Sequence, residues 1–464
     1  MQTSGLFDHD LIRRYDRAGP RYTSYPTAVQ FHDQFTANDF KRVARDSNTD
    51  FIPRPLSLYF HIPFCDTVCF YCACNKVVTK DKGKSSPYLE RLYLEMAMQS
   101  ELFEADRPVE QLHWGGGTPT FLSHGQMRSL MNATEAHFTL GDESKREFSI
   151  EVDPRATDKD TMKVLREIHF NRVSMGVQDF DPDVQKAVNR IQGERETIAL
   201  MQQARDEGFD SINVDLIYGL PKQTLASFDK TLDKVIDASP DRLSIFNYAH
   251  LPERFKPQRR INAQDLPPPE EKLEILQLSI EKLTESGYVY IGMDHFAKPD
   301  DELAIAQREG TLTRNFQGYS THRETDMLAF GVSSIARVGD CYSQNAHSLD
   351  AYYEDLDKGE LPVRRGVELS FDDRLRRHVI EEIICHFRLD FDQLRQDCRI
   401  EFSEYFASEL PALKQLASDG LIDLNDRGLS VRPAGQLLVR HVCMVFDAYV
   451  RQQQESGRRF SKII

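Results

Sequence analysis

From Leu56 onward, short runs rich in β-branched and aromatic residues alternate with helix-patterned segments. The β-forming runs are Leu56 to Ile62, Gln111 to Trp114, Glu147 to Val152, Arg172 to Val177, Ile212 to Tyr218 and Arg242 to Tyr248. Parallel strands need a crossover between them, usually a helix, so this alternation predicts repeated βα units around a parallel sheet. The first helix is expected to open at Ser86-Pro87 as N-cap and N1, with Leu89, Leu92, Tyr93 and Met96 on one face. Others are expected near Lys159 to Ile168, Glu196 to Glu207 and Leu225 to Asp237, and a helix from Pro269 to Ser286 and a strand from Tyr288 to Met293 extend the region. Six such units form a partial (β/α)6 TIM-like barrel whose strand C-terminal ends share one rim, where barrel enzymes keep their chemistry.

At 464 residues the chain is too long for one ordinary core. Leu361 to Phe371, with Pro362, Arg364, Arg365 and Gly366, breaks the periodicity and reads as a linker. Beyond it, a helix from Asp373 to Arg388 and two short strands around Asn425-Asp426-Arg427-Gly428 predict a small winged-helix-like C-terminal domain. The expected division is an N-terminal arm over residues 1–50, a catalytic domain over 51–360 and the C-terminal domain over 361–464.

A net charge of −15 disfavours non-specific binding to nucleic acid or an anionic membrane, and no run is apolar enough to span a bilayer. An anionic substrate must therefore meet local cations. Arg13, Arg14, Arg17 and Arg21 form one such group and Arg254, Lys256, Arg259 and Arg260 another, although each is also an ordinary solvated face. Asp8, His9 and Asp10 stand where a secretory signal needs an apolar run, so a cytoplasmic protein is expected. Eight cysteines then point to reduced thiols and metal ligation rather than disulfides.

Four of those cysteines lie in the loop that leaves the first strand: Cys65, Cys69, Cys72 and Cys74. The C-x3-C-x2-C spacing of the first three wraps three corners of an iron–sulfur cube and leaves one iron open, as a catalytic rather than a structural site requires. A closed four-thiolate site is the alternative, but Cys72 and Cys74, one residue apart, chelate a single tetrahedral metal awkwardly. At the second strand end, Trp114-Gly115-Gly116-Gly117-Thr118-Pro119-Thr120 lets backbone approach a ligand closely, although a plain tight turn fits the glycines as well.

The cysteine spacing resembles the signature of the radical S-adenosylmethionine superfamily. Around it, Gly19-Pro20-Arg21-Tyr22-Thr23-Ser24-Tyr25-Pro26-Thr27, Glu151-Val152-Asp153-Pro154-Arg155, Gly176-Val177-Gln178-Asp179, Asn213 to Pro221 and Gly339 to Asn345 resemble the oxygen-independent coproporphyrinogen III oxidase family. The resemblance implies that Cys65, Cys69 and Cys72 hold a [4Fe-4S] cluster whose open iron takes S-adenosylmethionine. It implies that Tyr59, Gly116, Glu151 and Ile335 contact that first molecule. Gly117, Thr118, Gln178, Arg190, Asp215 and Ala249, with the backbone of Tyr71, would contact a second. Cys74 matches a cysteine that is not a cluster ligand, and the segment around Arg21 resembles an arm reaching toward the active site. Taken without the family, Glu151 and Asp215 are equally caps or salt-bridge partners, Arg190 a solvated helix-end arginine, His61 either a residue that orients the cysteine loop or a space-filler, and Cys341, Cys385, Cys398 and Cys443 small core residues.

The implied reaction abstracts a hydrogen from the β-carbon of a propionate by a 5′-deoxyadenosyl radical, with loss of carbon dioxide and one electron. Performed twice, it converts coproporphyrinogen III to protoporphyrinogen IX in haem biosynthesis. The implied partners are that substrate and a reductant such as flavodoxin or ferredoxin; charge and hydropathy exclude nucleic acid and membrane, and the oligomeric state is left open, a monomer among the options. Arg21 is the first candidate to anchor an unreacted propionate. The competing expectation is a haem carrier of the same superfamily, which generally lacks the Gly19 to Pro26 arm and the Gly339 to Asn345 run.

Overall fold

The computed structural model describes residues 5–15, 17, 19–323 and 325–453, so the outer ends of the expected arm and C-terminal domain, 1–4 and 454–464, lie outside the described residues. Contacts divide the chain into two units, each discontinuous in sequence: Gln30–Lys272 with Glu324–Glu368, and Met1–Val29 with Leu273–Arg323 and Leu369–Ile464. The arm expected over 1–50 is thus shared between them at Gln30, and the second unit takes 273–323 from the segment expected over 51–360.

In the first unit, β1 (Leu56–Ile62), β2 (Val109–Gly116), β3 (Glu147–Val152), β4 (Arg172–Gln178), β5 (Ser211–Tyr218) and β6 (Arg242–Asn247) pair in that order, all parallel. These are the six strands expected, wound as a partial barrel. On the other side of β1, β7 (Asp326–Phe330) adds in parallel, and β8 (Ile335–Val338), β9 (Cys341–Asn345) and β10 (Val363–Glu368) follow antiparallel. The expected linker is therefore strand β10. Its Pro362 precedes the strand and its Gly366 lies where an added Cβ would sit 2.5 Å from the Phe35 ring, so both breakers have places a strand tolerates.

Period-2 alternation gives the two faces of this sheet opposite characters. Leu58, Phe60, Leu112, Trp114, Phe148, Ile150, Val173, Met175, Val214 and Leu216 are buried on one face, each such large side chain contributing roughly 1.5–3 kcal/mol. The other face is polar: Ser57 Oγ donates to Gln111 Oε1 at 2.9 Å, His113 Nδ1 lies 2.6 Å from Ser149 Oγ, and Asn213 Nδ2 donates to Ser174 Oγ at 2.9 Å. That face carries the site residues toward the rim.

Helix α1 (Ser85–Ser100) starts earlier than Ser86-Pro87. No side chain caps it, because a 3-10 turn at Lys82–Lys84, itself capped by Asp81, runs straight into it. Its inward face holds Tyr88 and Glu95. Tyr88 Oη donates to the carbonyl of His61 at the end of β1 (2.6 Å) and accepts from Val332 N (3.1 Å). Fully buried Glu95 accepts from Gly331 N (2.8 Å), Asn345 Nδ2 (2.7 Å), Tyr352 Oη (2.5 Å) and Gln99 Nε2 (3.0 Å). One helix thereby fixes the ends of both β1 and β7.

The second unit contains the expected wing. Ile422–Asn425 and Gly428–Val431 form the hairpin, and Arg388–Asp390 adds to its outer edge as a third strand, surrounded by helices including Phe371–His386 and Val439–Phe446. In the same unit Arg440 Nε donates to the Pro20 carbonyl at 2.9 Å, Tyr22 Oη donates to Asp447 at 3.0 Å, and Tyr25 Oη accepts from Ala448 N at 3.1 Å. These bonds hold the Gly19 to Tyr25 segment against the last helices. Among the described residues, no helix is long and apolar enough to cross a membrane.

Candidate active site

The cysteine loop begins where β1 ends. Phe64–Cys65 pairs in parallel with Val77–Val78, with Val77 N donating to the Pro63 carbonyl at 2.7 Å and Thr79 N to the Cys65 carbonyl at 2.9 Å. This short ladder closes the loop at its base. Within it Cys72 N donates to the Cys69 carbonyl at 3.2 Å, and from outside Asn189 Nδ2 donates to the Val68 carbonyl at 2.7 Å. Gln258, almost fully buried, donates through Nε2 to the carbonyls of Tyr71 (3.0 Å) and Ala249 (3.2 Å), joining the loop to the segment after β6.

The glycines of the second strand end lie against the start of this loop. Gly117 N donates to the Ile62 carbonyl and Thr118 N to the Phe64 carbonyl, both at 2.8 Å. Gly116 has φ +111°, and a Cβ there would lie 2.6 Å from the His61 ring; a Cβ on Gly117 would lie 2.6 Å from the Pro63 carbonyl. Of the two readings for His61, the contacts match the one in which it orients the loop. Its Nε2 lies 3.0 Å from the Asn75 carbonyl, which only accepts, so Nε2 carries the proton and Nδ1 accepts from Tyr59 Oη at 3.0 Å. Burial lowers the His61 pKa, in keeping with this neutral tautomer.

The three expected ligand sulfurs meet different partners. Cys65 accepts from Thr118 Oγ1 at 3.4 Å, and burial pushes its thiol up to about 11. Cys69 accepts from Arg155 Nη2 at 3.4 Å and Arg190 Nη1 at 3.6 Å. A hydrogen bond from Cys74 lowers the Cys72 pKa against the opposing effect of burial, and the same bond raises that of Cys74. Among the described residues, no three His, Cys, Asp or Glu side chains converge closely enough for a single metal ion. Cys65 nevertheless lies close enough to Cys69 and Cys72 for the charge of each to raise its pKa.

Along the rim, Gly116 N donates to Glu151 Oε2 at 3.1 Å, and His113 Nε2 stands 3.6 Å from Glu151 Oε1. Packing of the protein around Glu151 pushes its pKa upward, but the hydrogen bond and charge of His113 outweigh this and hold it below the usual value. Tyr59 stacks on His113 at 5.9 Å between ring centroids. Asp215 accepts from Ser174 Oγ (2.9 Å) and Asn213 Nδ2 (2.8 Å), yet burial raises its carboxyl to about 6. Gln178 sits at a bulge in β4 with φ +67°, an unusual backbone for a residue other than glycine. Its Oε1 and Arg190 Nε are buried without a protein partner, as atoms reserved for a ligand would be.

The structure places Tyr59, Glu151 and Asp215 within β1, β3 and β5, Gly116 and Gln178 at the ends of β2 and β4, and Tyr71, Gly117, Thr118 and Arg190 in loops of the first unit, with Ala249 just past β6 and Ile335 opening β8. Arg21 belongs to the second unit, where it forms a salt bridge with Asp294. Sequence reasoning gave no role to His113, Asp153, Arg155, Asn189 or Gln258. For Asp153 and Arg155 the Asp-Pro-Arg turn after a strand was the available signal, since Asp153 Oδ1 caps it through Arg155 N at 3.0 Å.

A family model described as the Radical SAM superfamily matches residues 59–235, and one described as the HemN C-terminal domain matches residues 369–438. The oxygen-independent coproporphyrinogen III oxidase of Pseudomonas aeruginosa is 55% identical over 458 residues, 99% of each chain. This chain belongs to the oxygen-independent coproporphyrinogen III oxidase family. The family member of Escherichia coli K12 is 50% identical over 459 residues, covering 99% of this chain and 98% of that one. The solved structure of coproporphyrinogen III oxidase (HemN) from Escherichia coli, described as a radical SAM enzyme, superposes with a TM-score of 0.91, 50% identity and coverage of 96% and 99%. Membership brings with it a [4Fe-4S] cluster and S-adenosylmethionine as cofactors.

Proposed function

We propose that this chain catalyses the oxygen-independent oxidative decarboxylation of coproporphyrinogen III, turning two propionate side chains into vinyl groups and giving protoporphyrinogen IX. The observation that carries this reading is the three-thiol loop closed against Gly116 to Thr118, in a chain whose full-length relatives bear the oxidase name. When bound, the cluster and its sulfonium ligand supply a one-electron cleavage that generates the hydrogen-abstracting radical.

The chain's own residues hold, orient and shield. Cys65, Cys69 and Cys72 grip the cluster. Tyr59, Gly116, Glu151 and Ile335 serve the S-adenosylmethionine on it. Gly117, Thr118, Gln178, Arg190, Asp215, Ala249 and the Tyr71 backbone serve a second. Phe70 and Tyr71 pack on the buried Val184, Val188, Leu220, Tyr248 and Ile261, which keeps water from that side of the loop. The substrate's unreacted propionates need cations, and Arg21 is our first candidate. Arg21→Ala should raise KM for coproporphyrinogen at least about tenfold, the loss of one charge-assisted contact, with iron content unchanged; an unchanged KM removes Arg21 from the site.

We further propose flavodoxin or ferredoxin as electron donor, a monomeric state and a cytoplasmic location; none of the eight cysteines is joined in a disulfide, in keeping with a reducing compartment. Light scattering and reduction by each purified carrier check the first two. The function itself is tested anaerobically: reconstituted protein, S-adenosylmethionine, reductant and coproporphyrinogen III should give 5′-deoxyadenosine, carbon dioxide and protoporphyrinogen. Stable haem binding with the porphyrinogen untouched would replace this reading with that of a carrier, which no structural observation favours.

A further inference from the structure

Cys69 is the most buried of the three ligand cysteines, and its surroundings are unlike theirs. Cys65 receives a neutral hydroxyl from Thr118 and Cys72 stands beside one ammonium, that of Lys76, which donates to its carbonyl at 3.1 Å, whereas Cys69 faces two guanidinium groups held by one carboxylate. Arg155 Nη2 lies 3.4 Å and Arg190 Nη1 3.6 Å from the Cys69 sulfur. Both arginines share one carboxylate: Asp153 Oδ2 accepts from Arg155 Nη2 at 2.7 Å and from Arg190 Nη1 at 3.1 Å, while Asp153 Oδ1 accepts from Arg155 Nε at 3.0 Å. Arg190 is further fixed by donating to the Gly176 carbonyl at 2.5 Å. The Asp153, Arg155 and Arg190 side chains are only 14%, 20% and 7% exposed, so solvent screens them weakly. Two cations against one anion leave an excess positive charge on this sulfur.

From this geometry we infer that Arg155 and Arg190, balanced by Asp153, set the reduction potential of the cluster through the Cys69 corner. The inference rests on the assignment of Cys69 as a cluster ligand. The step concerned is the transfer of one electron from a low-potential one-electron reductant to the oxidised cluster; no bond is made or broken and no proton moves. The reduced cluster carries one more negative charge than the oxidised one. Cationic donors to a ligand sulfur therefore stabilise it preferentially and raise the potential. Asp153 opposes them, so the trio holds the potential between the two extremes. Arg155 is in this sense a positioning residue for charge, acting through Cys69.

Redox titration of the reconstituted protein, followed by the electron paramagnetic resonance of the reduced cluster and run without S-adenosylmethionine, tests this. Arg155→Met should shift the reduced-to-oxidised ratio about tenfold toward oxidised at fixed potential, a fall of about 59 mV for one electron. Arg155→Lys, which keeps the charge, should recover part of the fall, and Asp153→Asn should move the potential upward. Lys159→Met, removing an exposed charge nearby, should leave it unchanged. Shifts of opposite sign cannot come from general damage to the loop. A fully loaded Arg155→Met cluster at the wild-type potential overturns the inference while leaving the cluster assignment intact; an unmodified chain that takes up no iron overturns the assignment instead. Should Arg155→Met fail to load, Asp153→Asn decides alone, and an unchanged or lowered potential there overturns the inference.

Discussion

Gly117→Ala should leave the protein folded but unable to retain its cluster, with iron per chain after anaerobic reconstitution reduced at least about tenfold. The added methyl would meet the carbonyl carbon and oxygen of Pro63 at 2.6 Å and the Phe64 carbonyl oxygen at 2.9 Å. These are backbone atoms, so no side-chain rotation relieves the contact, and overpacking of this kind costs roughly 1–3 kcal/mol or more. The easiest relief is movement of Pro63 to Cys65, which the bonds from Gly117 N and Thr118 N otherwise hold in place. Gly125→Ala provides the comparison, because a methyl there meets only Ser123 Oγ, at 4.0 Å, and lies inside the helix His124–His137. That variant should load iron normally. Full iron content and turnover in Gly117→Ala would show that the close approach of the glycine strand is not what holds the loop.

Glu95 should make stability depend on pH. Burial raises its pKa from an ordinary 4.5 to about 7, although four donors pull the other way. The native chain therefore holds this proton where the unfolded chain releases it. The contribution is fully present below pH 4.5 and is lost as pH rises to about 7, amounting to about 3 kcal/mol in all. Tyr352 makes the protonated form workable, since its hydroxyl can turn round and accept from the acid. Glu95→Gln mimics that form. Measured by denaturant titration across this range, the difference in stability between wild type and Glu95→Gln should change by about 3 kcal/mol, in favour of the variant at higher pH. A constant difference would mean that the four donors fully offset burial and that Glu95 is ionised throughout.

The six core strands were legible because a strand buried between a helix layer and an interior is written as a short, dense β-forming run. β1 and β3 begin and end at the residues expected. Strand β10 was hidden for a complementary reason. A strand at the edge of the sheet, met on its outer side by a single bridge between His32 and Gly366, admits charged Arg364 and Arg365 and a glycine pressed by Phe35, so its local signals are those of a loop. Ser86 misled because a side chain of the right type in the right register caps a helix only when the chain has not already turned, and here the Lys82–Lys84 turn had done so. Of the site, spacing marked the three thiolates and breakers marked the glycines. His113 was also within reach, since the alternation Gln111, His113, Gly115 continues the polar face of β1.

The sequence by itself determined the strands and marked out the proposed ligand set, because both depend on residues within a few positions of one another: a period of two and a cysteine spacing. Only the tertiary structure decided what surrounds each ligand. Arg155 lies 86 residues from Cys69, Arg190 lies 121, and Gln258 lies 187 from Tyr71, and each reaches the loop by a different strand end. Which cation faces which sulfur is set by the order in which the strands pair, and that order is a property of the assembled sheet rather than of any short segment.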